Sequence, residues 1–330
     1  MASSYNMPPV GDYLNNQERS ELVKKNDLLA LFWILKHIFI CTAAFSLVYY
    51  IPNPLTIIVA LCILGGRQLA CAVLMHDAGH HSMFSNNRLN KWVGNWLGGY
   101  LVFQDVEKYG NYHLEHHLHT GLDEDPDILL TRGYPTSRSS MYRKVIRDLT
   151  GQTGIRALTG LILMHLGYLK YNLGKKVVHV DQSNRTWQKF GQTVYRELSG
   201  VILAHLLLIT LLSVTIGPVY YLLWIGAYLT TFQFCIRVRS IAEHSMVEDP
   251  KNALANTRTT YANWLEQLFF APLNVNYHLE HHMLMGVPFY NLPRMHRILL
   301  DKGFYEVGIL EKSYWDVLKK TVIDSTTANP

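Results

Sequence analysis

At 330 residues, 49% hydrophobic and only 17% charged, with a mean hydropathy of +0.04, the chain is too apolar for an ordinary soluble domain and points to a bilayer protein. The net charge of +5 does not signal nucleic acid: Lys and Arg are scattered beside apolar runs, without an aromatic stacking platform or a binding motif, and anionic lipid headgroups account for the bias. Four cysteines (Cys41, Cys62, Cys71, Cys235) lie in apolar runs without a CxxC pair, which argues against disulfides and zinc ribbons and makes them small core residues.

The first 27 residues are polar and contain no cleavable signal peptide. Apolar runs follow at about 28–51 and 54–75, each long enough to span as a helix. Only Pro52 and Asn53 separate them, with Pro54 opening the second, so the pair reads as a tight hairpin. A second hairpin, at about 199–216 and 218–236, is divided at Gly217 and Pro218. The shorter runs at 92–103 and 154–171 are placed at the membrane surface, with a buried core helix as the alternative. The expected fold is all-α and integral to the membrane: four transmembrane helices in two hairpins, with a cytoplasmic helical cap. Residues 28–310 are expected to form one membrane domain, between an N-terminal segment (1–27) and a C-terminal tail (311–330).

By parity, both termini and the middle section, 76–198, fall on one side of the bilayer. Every Lys and Arg except Lys36 and Arg67 lies in those sections, so that side is cytoplasmic, in a bacterial inner membrane or the endoplasmic reticulum. Lys36 and Arg67 sit inside apolar runs, where a central charge costs about 3 kcal/mol. Snorkelling is the simplest expectation for both.

Ten of the sixteen histidines crowd into three segments, all on that side: HDAGHH at 76–81, HLEHHLH at 113–119 and HLEHH at 278–282. On a helix, His113, His116 and His117 share a face, as do His278, His281 and His282. His76 and His80, four apart, share another. NYHLEHH at 111–117 recurs at 276–282, and Gly121 matches Gly286 beyond each, as if two similar helices approached one site. One segment alone is explained by a solvated helix end or a zinc site; three together, with helical spacing and on one side, suit a pair of metal ions.

The order HDxxH, HxxHH, HxxHH, set between two hairpins, resembles the membrane fatty acid desaturase family over about residues 28–296. The resemblance implies a non-haem centre of two iron ions bound by His76, His80, His113, His116, His117, His278, His281 and His282, with a ninth ligand, His244, in RVRSIAEH after the last crossing. His81 lies five steps from His76, about 140° around a helix, so His80 is preferred, with His81 a substitute or a support. The resemblance also makes Asp77 the expected hydrogen-bond partner of a ligand's other ring nitrogen. Glu115 and Glu280 are candidates for the same task, with a solvated face as the alternative. His119 has no counterpart in the third segment, where Leu284 stands, and is grouped with His81 as a support. DEDPD at 123–127 reads as a loop and helix start. His37, His165, His179 and His205 read as satisfied core residues, and His296 has no ligand role.

Iron in an imidazole cage activates O2 when two electrons are supplied and can take hydrogen from an unactivated methylene. The expected activity is therefore an O2-dependent lipid desaturase acting on a fatty acyl chain, linked to lipid, CoA or a carrier protein, which reaches the histidines through a kinked hydrophobic tunnel. No catalytic residue beyond the metal ligands is expected. The chain has neither a cytochrome b5-like haem domain nor cysteines for an iron–sulfur cluster, so a separate donor is expected, ferredoxin or cytochrome b5 with its reductase. The alternatives are lipid hydroxylation or ketolation on the same scaffold, desaturation of a small non-acyl metabolite, and a non-enzymatic metal or haem carrier. The carrier is disfavoured because bis-histidine haem needs facing pairs within the bilayer.

Overall fold

Four helical spans in the computed structural model, which describes residues 9–174, 176–247 and 249–323, are long and apolar enough to cross a membrane. The outer parts of the expected terminal segments, 1–8 and 324–330, lie outside the described residues. The first hairpin joins α1 (Asp27–Tyr50) to α2 (Pro54–Gly79). Its turn is fixed by a reciprocal cap: the Asn53 side chain accepts from the Leu55 and Thr56 N–H groups, and the Thr56 hydroxyl accepts from the Asn53 N–H, with Pro54 in the first turn.

The chain then lays α3 (Asn87–Trp96) and α4 (Val106–His119) against the end of α2. Next come α5 (Arg138–Leu149), α6 (Gln152–His165) and the long α7 (Trp187–Thr215). The 92–103 run forms part of α3 and a 3-10 turn packed on α2, and α6 packs against neighbouring helices. Neither is long enough to span.

The fourth crossing departs from the single helix the hydropathy suggests. It consists of α8 (Tyr221–Leu229) and α9 (Thr231–His244), broken at Thr230, whose φ and ψ are −118° and −88°. A side chain satisfies a freed carbonyl, as irregular backbone inside a membrane protein requires: Gln233 donates to Tyr228 O at 3.0 Å, while the Thr230 hydroxyl adds a second bond to Gly226 O at 2.6 Å. The break lies against α2 at Gly65, where a methyl group would stand 2.8 Å from the Phe232 nitrogen.

After α9 the chain forms α10 (Trp264–Phe269), α11 (His278–Met283) and α12 (Leu292–Asp301). Two short parallel pairs, Thr136–Ser137 with Val322–Ile323 and Arg258–Thr260 with Ile309–Glu311, tie the last segment to the body. α2 is the centre of the molecule: 61% of its apolar window is buried within the protein, against 17–33% for the other three.

Arg67 does not snorkel. It is buried and donates to Leu268 O at 2.6 Å, because α10 presents uncapped carbonyls at its depth. Lys36 is exposed and stacks over the Trp33 ring.

Candidate metal centre

α2 does not stop at the edge of its apolar run but continues through Gly79, so His76 and Asp77 ride on the spanning helix and His80 caps it. His113, His116 and His117 lie in the last two turns of α4. His244 ends α9, and α11 carries His278, His281 and His282, each buried.

The nine rings gather in two adjacent groups. His76, His80, His113, His117 and His281 form one, each offering a ring nitrogen within 4.8 Å of the others; His116, His244, His278 and His282 form the second on the same criterion. Rings of His117 and His282, one from each group, lie 4.2 Å apart by centroid. Each i, i+4 pair, 113/117 and 278/282, stays within one group, while the residue between, His116 or His281, turns to the other.

Within each group Nε2 faces Nε2. His117 Nε2 is 2.9 Å from that of His113 and 3.0 Å from that of His281. His278 Nε2 is 2.8 Å from that of His244 and 3.2 Å from that of His282. A neutral imidazole nitrogen either donates one hydrogen bond or accepts one, so such hubs cannot be satisfied by protons alone. The Nε2 atoms of His76 and His80 are buried with no partner at all. Orphaned, converging imidazole nitrogens fit a divalent cation that prefers nitrogen donors.

Burial keeps these rings neutral, as metal binding requires. It pushes His80 down to about 4 and holds His113, His117, His278, His281 and His282 well below the ordinary histidine range. His116 moves the other way: burial disfavours its charge, but the carboxylate of Asp125 outweighs burial, helped by Asp127 and Glu243.

Acceptors behind the rings fix their orientation. Asp77 accepts from His76 Nδ1 at 2.8 Å, and its second oxygen accepts from Phe289 N–H at 3.2 Å. Asp125 was not expected. It reaches back across the turn after α4, accepts from His116 Nδ1 at 2.8 Å, and is anchored by the Gly121 and Asp127 N–H groups at 2.9 and 2.8 Å. Within the DEDPD loop Asp123 and Glu124 are exposed, but Asp125 is a buried neighbour of the histidines, because the tight turn returns an acid to the helix it has just left.

The other sequence-predicted supports stand elsewhere. His81 is exposed, leaves the helix at φ 54°, and joins neither group. His119, half-buried, sits beside the exposed Glu115, 3.5 Å away, and neither belongs to the two groups. Glu280 is neither solvated nor bonded to a clustered histidine. It is fully buried and accepts from the Thr259 and Tyr305 hydroxyls, with His296 Nδ1 at 2.6 Å. His205 is satisfied by Tyr100 O and the Tyr221 hydroxyl; His165 Nε2 meets Phe103 O and His37 lies against Cys71, but the Nδ1 of each is buried without a partner, and His179 is exposed rather than in the core.

A cavity of about 560 Å³ leads to the histidines, within the range of small-molecule sites. His113, His116, His244 and His278 line its inner end, and Leu69, Met75, Leu161 and Phe232 line an apolar wall. The wall is not uniformly apolar: Arg239 and Glu243 line it as well, with the exposed Arg132 and Arg156 and the half-buried Lys144.

The sequence profile of the family described as Fatty acid desaturase matches residues 52–315. Over 89% of its length, and 81% of the relative's, the chain is 30% identical to a dihydrorhizobitoxine desaturase of Bradyrhizobium elkanii. It is 26% identical to a sphingolipid delta(4)-desaturase of Xenopus tropicalis, covering 82% of this chain and 72% of the relative. To an sn-1 oleoyl-lipid 12-desaturase of Picosynechococcus it is 23% identical, over 75% and 70%.

Proposed function

The chain belongs to the fatty acid desaturase family and is an oxidoreductase of the membrane, and from that premise we propose that it inserts a double bond into the hydrocarbon chain of a lipid by means of two bound iron ions. The observation that carries the reading is the pair of buried imidazole groups at the inner end of a cavity. His76, His80, His113, His117 and His281 would hold one ion, and His116, His244, His278 and His282 the other. Iron so held supplies the capacity to use O2 and two electrons to remove two hydrogens from an unactivated C–C unit.

The protein's own part is to hold, orient and exclude. Burial favours the unprotonated form of the imidazoles other than His116, Asp77 and Asp125 fix which nitrogen of His76 and His116 faces inward, and the apolar wall at Leu69, Met75, Leu161 and Phe232 seats a chain with water kept out. The excess of Lys and Arg outside the spans supports a cytoplasmic position for the histidines, where a separate ferredoxin or cytochrome b5 system would deliver electrons. A small polar substrate is the second reading, favoured by the charged side chains along the cavity.

The test is expression in a host of known lipid composition, followed by mass analysis of its acyl chains and polar metabolites. Loss of two hydrogens from an acyl chain supports the proposal, and loss from a polar metabolite supports the second reading. Gain of an oxygen assigns hydroxylation, and an unchanged lipid and metabolite profile with active donor present refutes both. Metal analysis of the purified protein should give two irons per chain; a single zinc overturns the mechanism.

A further inference from the structure

The two histidine groups are unequal, five rings against four, and a carboxylate stands beside the smaller one. Glu243, buried on α9 one residue before His244, directs Oε2 to 3.6 Å from the Nε2 of His278. That is the inward-facing nitrogen of the ring, 2.8 Å from the Nε2 of His244 and 3.2 Å from that of His282. We propose that Glu243 contributes its Oε2 to the ion of the four-histidine group as a fifth, anionic donor, an inference that rests on the two-ion reading above.

The spacing to His278 is what two donors of one ion show, while the carboxylate stands outside the 4.8 Å circle shared by all four ring nitrogens and would close on the ion as it binds. Atoms each about 2.1 Å from a shared ion lie about 3.0 Å apart at a right angle and about 3.6 Å apart when the angle opens to about 120°. The bland alternative is that Glu243 serves only to neutralise the buried Arg239. A carboxylate devoted to an arginine commonly engages the guanidinium with both oxygens. Here a single contact is made, Arg239 Nε donating to Oε1 at 2.6 Å, and Oε2 is turned toward His278 instead. Arg239 thus acts as the positioning residue. Other acids near the centre approach from behind the rings: Asp77 at the Nδ1 of His76, Asp125 and Asp127 at the Nδ1 of His116. Glu243 differs from them in approaching an Nε2, and it also lines the cavity.

The ion at the four-histidine group would therefore carry an anionic oxygen on its cavity side, while the five-histidine ion has imidazoles alone, and the two should differ in affinity and spectrum. The test uses the full-length protein in detergent, stripped of metal and titrated with Co(II), with bound ions counted and the visible absorption recorded. Wild type should bind two ions. Glu243→Gln should keep one at native affinity and hold the other 10- to 100-fold more weakly, with a changed cobalt absorption. Because a lone buried Arg239 could impair folding, the double variant R239Q/E243Q removes both charges together and should show the same selective loss. Two ions at native affinity in both variants, or an equal weakening of both ions, would overturn the proposal and leave the two-ion reading standing. Wild type that binds fewer than two ions would overturn the parent reading and this one with it.

Discussion

Replacing Asp125 by alanine removes a buried carboxylate that the sequence pattern did not flag, so its effect tests the geometry directly. In the folded protein Oδ1 accepts from His116 Nδ1 and from the Asp127 N–H, both at 2.8 Å, while Oδ2 accepts from the Gly121 N–H at 2.9 Å. Burial alone would raise the Asp125 pKa, but His116 and the two N–H groups lower it below the ordinary aspartate range, so the group is charged at neutral pH. Deleting it leaves His116 free to rotate, and loss of such a partner costs about 10- to 100-fold in metal affinity, or about 1.4–2.7 kcal/mol. The backbone donors lose an acceptor too, at about 1–3 kcal/mol for each one left buried and unmet. Asp125→Asn should fall between alanine and wild type: its amide oxygen can accept from His116, but its NH2 then meets the Gly121 N–H. The assay is competition for Fe(II) against a chelator of known affinity, on purified protein whose fold is checked by circular dichroism. Folded Asp125→Ala protein with both ions at native affinity would falsify the assignment of Asp125 as the group that orients His116.

His80 and His81 are adjacent in sequence but only His80 joins a group. His80→Ala should cost more than the 10- to 100-fold expected for losing a ring's hydrogen-bond partner, whereas His81→Ala should leave metal content and turnover within about twofold; equal effects would reassign the first segment. Gly79 lets α2 meet α4, since a methyl there would stand 3.1 Å from the Gly110 Cα. Gly79→Val should therefore destabilise by about 1–3 kcal/mol and lower metal occupancy with it, read by chemical denaturation and metal content. The metal-free protein should weaken on acidification: apart from His116, whose shift is upward, the buried histidines of α4 and α11 and His80 have folded pKa values below their unfolded value, to about 4 for His80, so they make the unfolded chain bind more protons below about pH 6.5. Their stabilisation is complete above that pH and is lost as pH falls toward 4. A metal-free unfolding midpoint that stays flat from pH 7 to pH 5 would contradict this, as would one that rises on acidification.

Much of the centre was legible because ring spacing on a helix is fixed by 3.6 residues per turn. Four crossings follow from the length of the apolar runs, the preference for His80 over His81 from helical periodicity, and Asp77 behind His76 from the family resemblance; the fold has four such spans, groups His80 but not His81 with other histidines, and sets Asp77 against His76 Nδ1. The sharing of rings between two groups did not follow: spacing says that His113, His116 and His117 point broadly one way, but not that two centres divide them. Asp125 and Glu243 were hidden for a different reason. Their partners, His116 and His278, are nine and thirty-five residues away, and only the return of the chain makes the contact. The break at Thr230 escaped because neither Thr230 nor Thr231 is a helix breaker in composition. It is stabilised by tertiary contacts, including the Thr231 hydroxyl on Leu61 O at 2.5 Å. Snorkelling was the wrong expectation for Arg67, because hydropathy cannot show that α10 offers it carbonyls.

These misses share a cause that bears on how the site keeps its shape. His76 lies on a spanning helix and His244 at the end of another, so part of each histidine group is set by packing between α2 and α9. That packing turns on Gly65 against the Thr230 break. Arg67 adds the third element: by binding the carbonyl end of α10, it fixes the chain shortly before α11, which brings His278, His281 and His282. The cost of burying a guanidinium is thus offset by carbonyls that must be satisfied anyway, and the contact aligns a segment more than two hundred residues away in sequence. A cage assembled from extensions of membrane helices and one docked helix resists splaying, because moving any ring requires sliding a helix through a packed interface. That rigidity suits the proposed cage, since imidazoles that burial keeps neutral have no charge of their own to draw a cation in and must be held close together before it arrives.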